Sequence, residues 1–148
     1  MRNLIDKIID AISNNKPLLC VGYYIPDISL ADISLPLDFN KLVYFVRSKF
    51  IGRPNFSNVT FNQQVDFYGA LFNDDAFFDN ARFNAYASFY SAEFKQEVNF
   101  TFCTFIQKAD FNYVLFNNKV YFDDSVFEDR GFKWIIEDFV IIDICLKP

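Results

Sequence analysis

The sequence predicts an all-β solenoid: a parallel coil with four sides, built from one short strand and one corner repeated many times. Three observations predict it. Phenylalanine recurs at alternating spacings of five and six residues, without a miss, at Phe39, Phe45, Phe50, Phe56, Phe61, Phe67, Phe72, Phe78, Phe83, Phe89, Phe94, Phe100, Phe105, Phe111, Phe116, Phe122 and Phe127, and self-similarity of that length is the mark of a repeat architecture. A small or modest apolar residue precedes nearly every one by two positions, as in Val65, Ala76, Ala87, Val98 and Ala109. The residue between is mostly polar, so each triplet reads in–out–in, the pattern of a half-buried strand. Turn-forming residues then follow, as in Asn73-Asp74-Asp75 and Asn117-Asn118-Lys119.

Two units would make an 11-residue coil, too small to enclose two phenylalanine rings and their partners. Four units make a 22-residue coil with room for four large and four small inward side chains, and this is the coil we expect. An 11-residue period can also suit three α-helical turns. Phenylalanine and valine favour strands, however, and Asn/Asp clusters recur at the corners, so the helical reading fails.

Taken in order, residues 1–36 form an N-terminal unit. Residues 2–14 place Leu4, Ile5, Ile8, Ile9 and Ile12 on one helical face, with Pro17 after the stop. This amphipathic helix either caps the first coil, since an open solenoid end must be covered, or binds a partner. Residues 18–36 are apolar and irregular and read as an imperfect first coil. Residues 37–129 are the repeat proper. Stacking at a period of 22 aligns four ladders, one of them Phe39, Phe61, Phe83, Phe105 and Phe127. Residues 130–148 break the period, because Phe132 arrives five residues after Phe127 where six is due. Trp134, Phe139 and eight further large apolar residues make this segment too apolar for a loop. It closes the last coil, or it buries against a second copy and makes the chain a homodimer.

Composition narrows the function. The formal charge is −5, against direct nucleic-acid binding, which needs cations to displace counterions. Residues 52–129 hold the excess of acid. Cys20, Cys103 and Cys145 are far apart and odd in number, with no zinc spacing. No run approaches a membrane span and no signal peptide is visible, so a cytoplasmic protein is expected. There is no histidine, hence no commonest general base and no Ser-His-Asp or Cys-His arrangement. No phosphate-binding, dinucleotide or calcium loop occurs. We expect no catalytic residues, no metal, no cofactor and no enzyme activity.

The triplets Ala81-Arg82-Phe83, Ala87-Ser88-Phe89 and Ala92-Glu93-Phe94 resemble the pentapeptide-repeat proteins, in their phenylalanine-rich variety with alternating five- and six-residue units. The resemblance covers residues 37–129. It implies a right-handed quadrilateral β-helix. The departures are phenylalanine at the usual central leucine, one extra residue in every second unit, and Leu37 and Pro54 at the small position. Two functions follow. One is a non-catalytic scaffold that binds another protein, with Tyr68, Tyr90, Tyr113, Trp134 and Phe139 as candidate contact residues, tyrosine being favoured in interfaces; stacked tyrosines also simply stabilise neighbouring strands. The other comes from the resemblance alone: some members mimic duplex DNA and bind type II topoisomerases such as gyrase, which would use acids such as Asp74, Asp75, Asp79, Asp123 and Asp124. Those acids equally read as a solvated face, and outward Leu71, Phe77, Phe102, Ile106 and Leu115 interrupt an acidic track.

Overall fold

Each triplet forms a two-residue strand, just long enough to place the small residue and the phenylalanine inside and the residue between them outside. A computed structural model of the chain describes residues 3–30, 37–129 and 141–144. Across these the strands join in parallel into four sheets, three of five strands and one of six. The sheets are the sides of one solenoid. The first side stacks Leu18–Leu19, Val43–Tyr44, Val65–Asp66, Ala87–Ser88 and Ala109–Asp110. The second stacks Tyr24–Ile25, Lys49–Phe50, Leu71–Phe72, Glu93–Phe94 and Leu115–Phe116. The third runs from Ile28–Ser29 through Pro54–Asn55, Ala76–Phe77 and Val98–Asn99 to Val120–Phe122 and Ile141–Ile144. The fourth stacks Asp38–Phe39, Thr60–Phe61, Arg82–Phe83, Thr104–Phe105 and Val126–Phe127.

The expected 22-residue register is found: Leu71 pairs with Glu93, Ala87 with Ala109 and Arg82 with Thr104. Inside, rings of one ladder stack face to face, with Phe72 over Phe94 at 4.4 Å between centroids and Phe83 over Phe105 at 4.6 Å. Rings of neighbouring ladders meet edge to face, as Phe78 and Phe89 do at 86°. The edge-to-face contacts are favoured by the ring quadrupole, while the near-parallel stacks follow from the strand spacing of the ladders. From Phe39 to Phe105 every ladder ring is at most 2% exposed. Each contributes about 1.5–3 kcal/mol gross.

The structure explains the alternation of five and six. Every five-residue unit bends through a hydrogen bond from the next small residue back to the ring residue three before it. Ala70 N–H donates to Phe67 O at 3.0 Å, Ala81 to Phe78 at 2.9 Å and Ala92 to Phe89 at 2.9 Å. The residue just before the small one has positive φ: Arg47, Gly69, Ser91 and Tyr113 at one corner, Asn58, Asn80, Phe102 and Asp124 at the diagonal one. A type II turn demands that conformation at its third position. Outward Asp66, Asn55, Asn99 and Asp110 reach forward to the N–H two residues on and close the turn further. The six-residue corners hold no positive-φ residue among the described ones.

The coil begins earlier than the phenylalanine series. Leu18 pairs with Val43 and Tyr24 with Lys49, a step of 25 residues; Ile28 pairs with Pro54, a step of 26. Cys20, Ile25 and Leu30 therefore take the ring positions of the first coil, all fully buried. Asp27 clasps this coil to the next. Its Oδ1 accepts Arg53 N–H at 2.7 Å, and it lies where a side chain on Gly52 would stand, 1.8 Å from an added Cβ.

The helix, α1, spans Leu4–Ser13 and starts at Asn3, whose side chain accepts Asp6 N–H at 2.8 Å. Ile8 and Ala11 are buried and Leu4, Ile5 and Ile12 pack partly against the core, so the helix covers the first coil. Ile9 was expected on the buried face and is instead 37% exposed. At the other end, Ile141–Ile144 adds a strand to Val120–Phe122 of its own last coil, with a register irregularity. No described helix is long and apolar enough to cross a membrane.

Candidate functional site

With the rings turned inward, any function of the described residues must reside on outward positions and corners. One corner gathers aromatic side chains. Tyr68 and Tyr90 each follow a ladder ring on the first side and fall one coil apart. Their rings stack at 5.7 Å and 17°. Tyr68 N–H is held by Asp66 at 2.8 Å, and Tyr90 N–H faces Ser88 Oγ at 3.4 Å. The next position in that column is Asn112. Tyr113 comes one residue later, at φ 58, and turns its ring edge-on to Tyr90 at 5.2 Å. The three predicted tyrosines thus meet, and Tyr113 is 69% exposed. Trp134 and Phe139, the other two predicted contact residues, lie outside the described residues.

The same corner continues toward the helix with residues the sequence reading missed. Arg47 sits over the Tyr68 ring at 5.8 Å, its stem passing Gly69. Lys49 sits over Tyr24 at 5.8 Å, and Lys7 of α1 over Tyr23 at 4.4 Å, where its ammonium also donates to the Tyr23 hydroxyl. Arg47 could have been aligned with Gly69 by the 22-residue period. Tyr23 and Tyr24 could not, because the 25-residue first step hides their register. Between α1 and the first coil lies a concavity of about 430 Å³, walled by Leu4, Ile5, Lys7, Tyr24, Pro26 and Ile28.

The predicted acids fall on the two corners that flank the third side. Arg53 bridges Asp74 at 3.6 Å and Asp75 at 3.2 Å. In that column the coils run Asp27, Arg53, Asp75, Glu97, Lys119, so basic residues interrupt the acids. At the other corner Asp79 accepts the Ser57 hydroxyl at 2.6 Å. That column runs Ser57, Asp79, Thr101, Asp123, and Asp124 occupies the positive-φ position shared with Asn58, Asn80 and Phe102. Neither column is acidic along its length.

The described cysteines are inert. Cys20 and Cys103 are fully buried and free. Burial pushes the Cys20 thiol up to about 11 and the Cys103 thiol well above the usual thiol range, away from the thiolate that reactivity requires. Burial also raises the Tyr86 phenol, with the Asp110 charge adding to it. No group of three or more His, Cys, Asp or Glu among the described residues could hold a metal.

A family model described as pentapeptide repeats (9 copies) matches residues 45–93 and 89–132. No curated protein and no solved structure matches the chain significantly.

Proposed function

The chain belongs to the pentapeptide-repeat family, and from that premise we propose that it is a cytoplasmic, non-catalytic scaffold that docks another protein on the tyrosine corner. The observation that carries this reading is the contiguous cluster of Tyr68, Tyr90 and Tyr113, in which Tyr68 stacks on Tyr90, Tyr113 meets Tyr90 edge-on, and Tyr68 and Tyr113 are exposed to solvent. Tyrosine offers large, rigid contact area with a polar tip, and is enriched at interfaces for that reason. The DNA-mimic alternative fits less well, because Arg53 and Lys119 interrupt one acidic column and neutral residues alternate through the other.

The test is affinity capture from the source cell with the intact chain and with Tyr68→Ser/Tyr90→Ser/Tyr113→Ser, alongside a gyrase supercoiling assay. A partner retained by the intact chain and lost by the triple variant supports docking on this corner. Retention by both removes it. Inhibition of supercoiling that survives the tyrosine changes and disappears in Asp75→Asn/Asp79→Asn/Asp123→Asn would replace scaffold by mimic.

Self-association through the tail belongs to the same proposal. The segment Ile141–Ile144 pairs with its own last coil, which favours a cap for that piece, while 131–140 lie outside the described residues. Light scattering at micromolar concentration distinguishes them: a dimer mass that falls to monomer when 131–148 are deleted supports the interface, and a monomer with the tail intact leaves a cap.

A further inference from the structure

We propose that the upper part of this corner selects an acidic partner: an extended segment of another protein in which an apolar side chain is flanked by carboxylates. The inference rests on the docking reading above and names the chemistry of what docks. The first observation is charge. The chain as a whole is acidic, yet Lys7, Arg47 and Lys49 gather at this corner. Parallel pairing sets Lys49 beside Tyr24, and the Lys49 N–H donates to Tyr23 O at 2.7 Å, which brings the α1 lysine, the first coil and the second coil together.

The second observation is how these cations are held. Among the described residues, four cations lie over a tyrosine ring; Lys108, over Tyr86, is also ion-paired with Asp110, whereas Lys7, Arg47 and Lys49 are held over their rings with no ion pair among the described residues. A ring face orients a cation while leaving N–H groups for an incoming anion; Lys7 spends one of its three on the Tyr23 hydroxyl. Two acids stand near in the columns and keep their charge while accepting backbone N–H groups: Asp66 from Tyr68 and Asp27, at the edge of the concavity, from Arg53. Glu93, two coils below Lys49, accepts Asn117 at 2.8 Å.

The third observation is shape. The concavity beside Lys7 and Tyr24 is lined by apolar Leu4, Ile5, Pro26 and Ile28, with Asn3 and Asp27 as its other polar walls, room for one bulky side chain. A single nucleic-acid strand fits the same charges less well. Bases need open ring faces for stacking. Tyr68 and Tyr90 face each other, and the exposed Tyr24 carries Lys49.

The test uses backbone amide NMR of the full chain with two synthetic probes, acetyl-Glu-Glu-Phe-Glu-Glu-amide and acetyl-Lys-Lys-Phe-Lys-Lys-amide, and with oligothymidylate. The acidic peptide is expected to shift Tyr23, Tyr24, Arg47, Lys49 and Tyr68, and the lysine peptide to leave them unmoved. Arg47→Gln/Lys49→Gln, confirmed folded by an unchanged urea midpoint, is expected to weaken the acidic peptide by about fivefold or more, as is raising salt from about 50 to about 300 mM. Equal shifts by both peptides, no shift by either, an unaffected double variant, or tighter binding of oligothymidylate at these residues would overturn it. The two readings fail separately. A captured protein lost by the tyrosine triple variant and kept by Arg47→Gln/Lys49→Gln leaves the docking corner standing and removes the acidic partner.

Discussion

The first coil and the central coils solve the same geometry by different means. In the central coils, four phenylalanine ladders fill the bore and every ring has a stacked neighbour. In the first coil, Cys20, Ile25 and Leu30 occupy the positions of rings, and their steps of 25 and 26 residues leave the period. Local chemistry differs in the opposite sense. The five-residue corner of the first coil uses Gly22 at φ 69, the residue that conformation suits best. The central coils use Gly69, Asn58 and Asn80 there too, but also tolerate Phe102 and Tyr113 at φ 56 and 58, where bulky residues are outliers. Where packing is strong it overrules backbone preference. Where packing is weak, glycine, the Asp27 clasp and the helix cap supply order instead.

The largest test of this contrast removes a ring. Phe89→Ala is expected to cost about 3–5 kcal/mol by opening a cavity between stacked neighbours, and Leu30→Ala in the first coil about 2–3 kcal/mol. Urea midpoints read both. Equal losses would show that the stack confers nothing beyond apolar volume. Overpacking comes next: Ala87 is fully buried on the small ladder, and Ala87→Leu should cost about 1–3 kcal/mol. An unchanged midpoint would mean that the bore has slack.

The clasp between the two regions is sharper. Gly52→Ala sets a methyl where the Asp27 carboxylate stands, so the carboxylate must leave Arg53 N–H, at about 1–3 kcal/mol. The prediction is non-additive. In an Asp27→Ala background the Gly52 change should cost little, and additive losses in that cycle would remove the clasp from the account. Smallest is the corner residue itself. Phe102→Gly should stabilise by about 0.5–1 kcal/mol, the relief of left-handed strain partly offset by the freer unfolded chain. Gly22→Ala should destabilise by about 1 kcal/mol for the converse reason. Destabilisation by Phe102→Gly would show that the exposed ring holds a contact outweighing its strain.

The central coils were legible because ring, small residue and polar residue recur in fixed order, so one count of spacing gives strand, face and register together. The Tyr68, Tyr90 and Tyr113 cluster was legible on the same count, although Tyr113 arrives one position late and reaches Tyr90 only through its turn. The first coil was harder to read. Ile25 and Leu30 are ordinary apolar residues, and no spacing marks them as heirs of phenylalanine. The cations over Tyr23 and Tyr24 shared that fate, since Lys7 belongs to a helix whose position on the coil no periodicity encodes.

The sequence by itself determined the architecture: a period of 22 fixes the stacking of strands, and phenylalanine beside a small residue fixes which side chains fill the bore. Tertiary structure alone decided where the series ends in space, how α1 sits on the first coil, and which polar side chains pair. Aspartates alike in sequence receive different partners, Asp75 an arginine and Asp79 a serine hydroxyl. The physical reason is range. Burial of a periodic apolar pattern is satisfied by any coil that keeps the period. Hydrogen bonds and ion pairs depend on ångström-scale placement, which follows only once the register of the irregular first coil has been set.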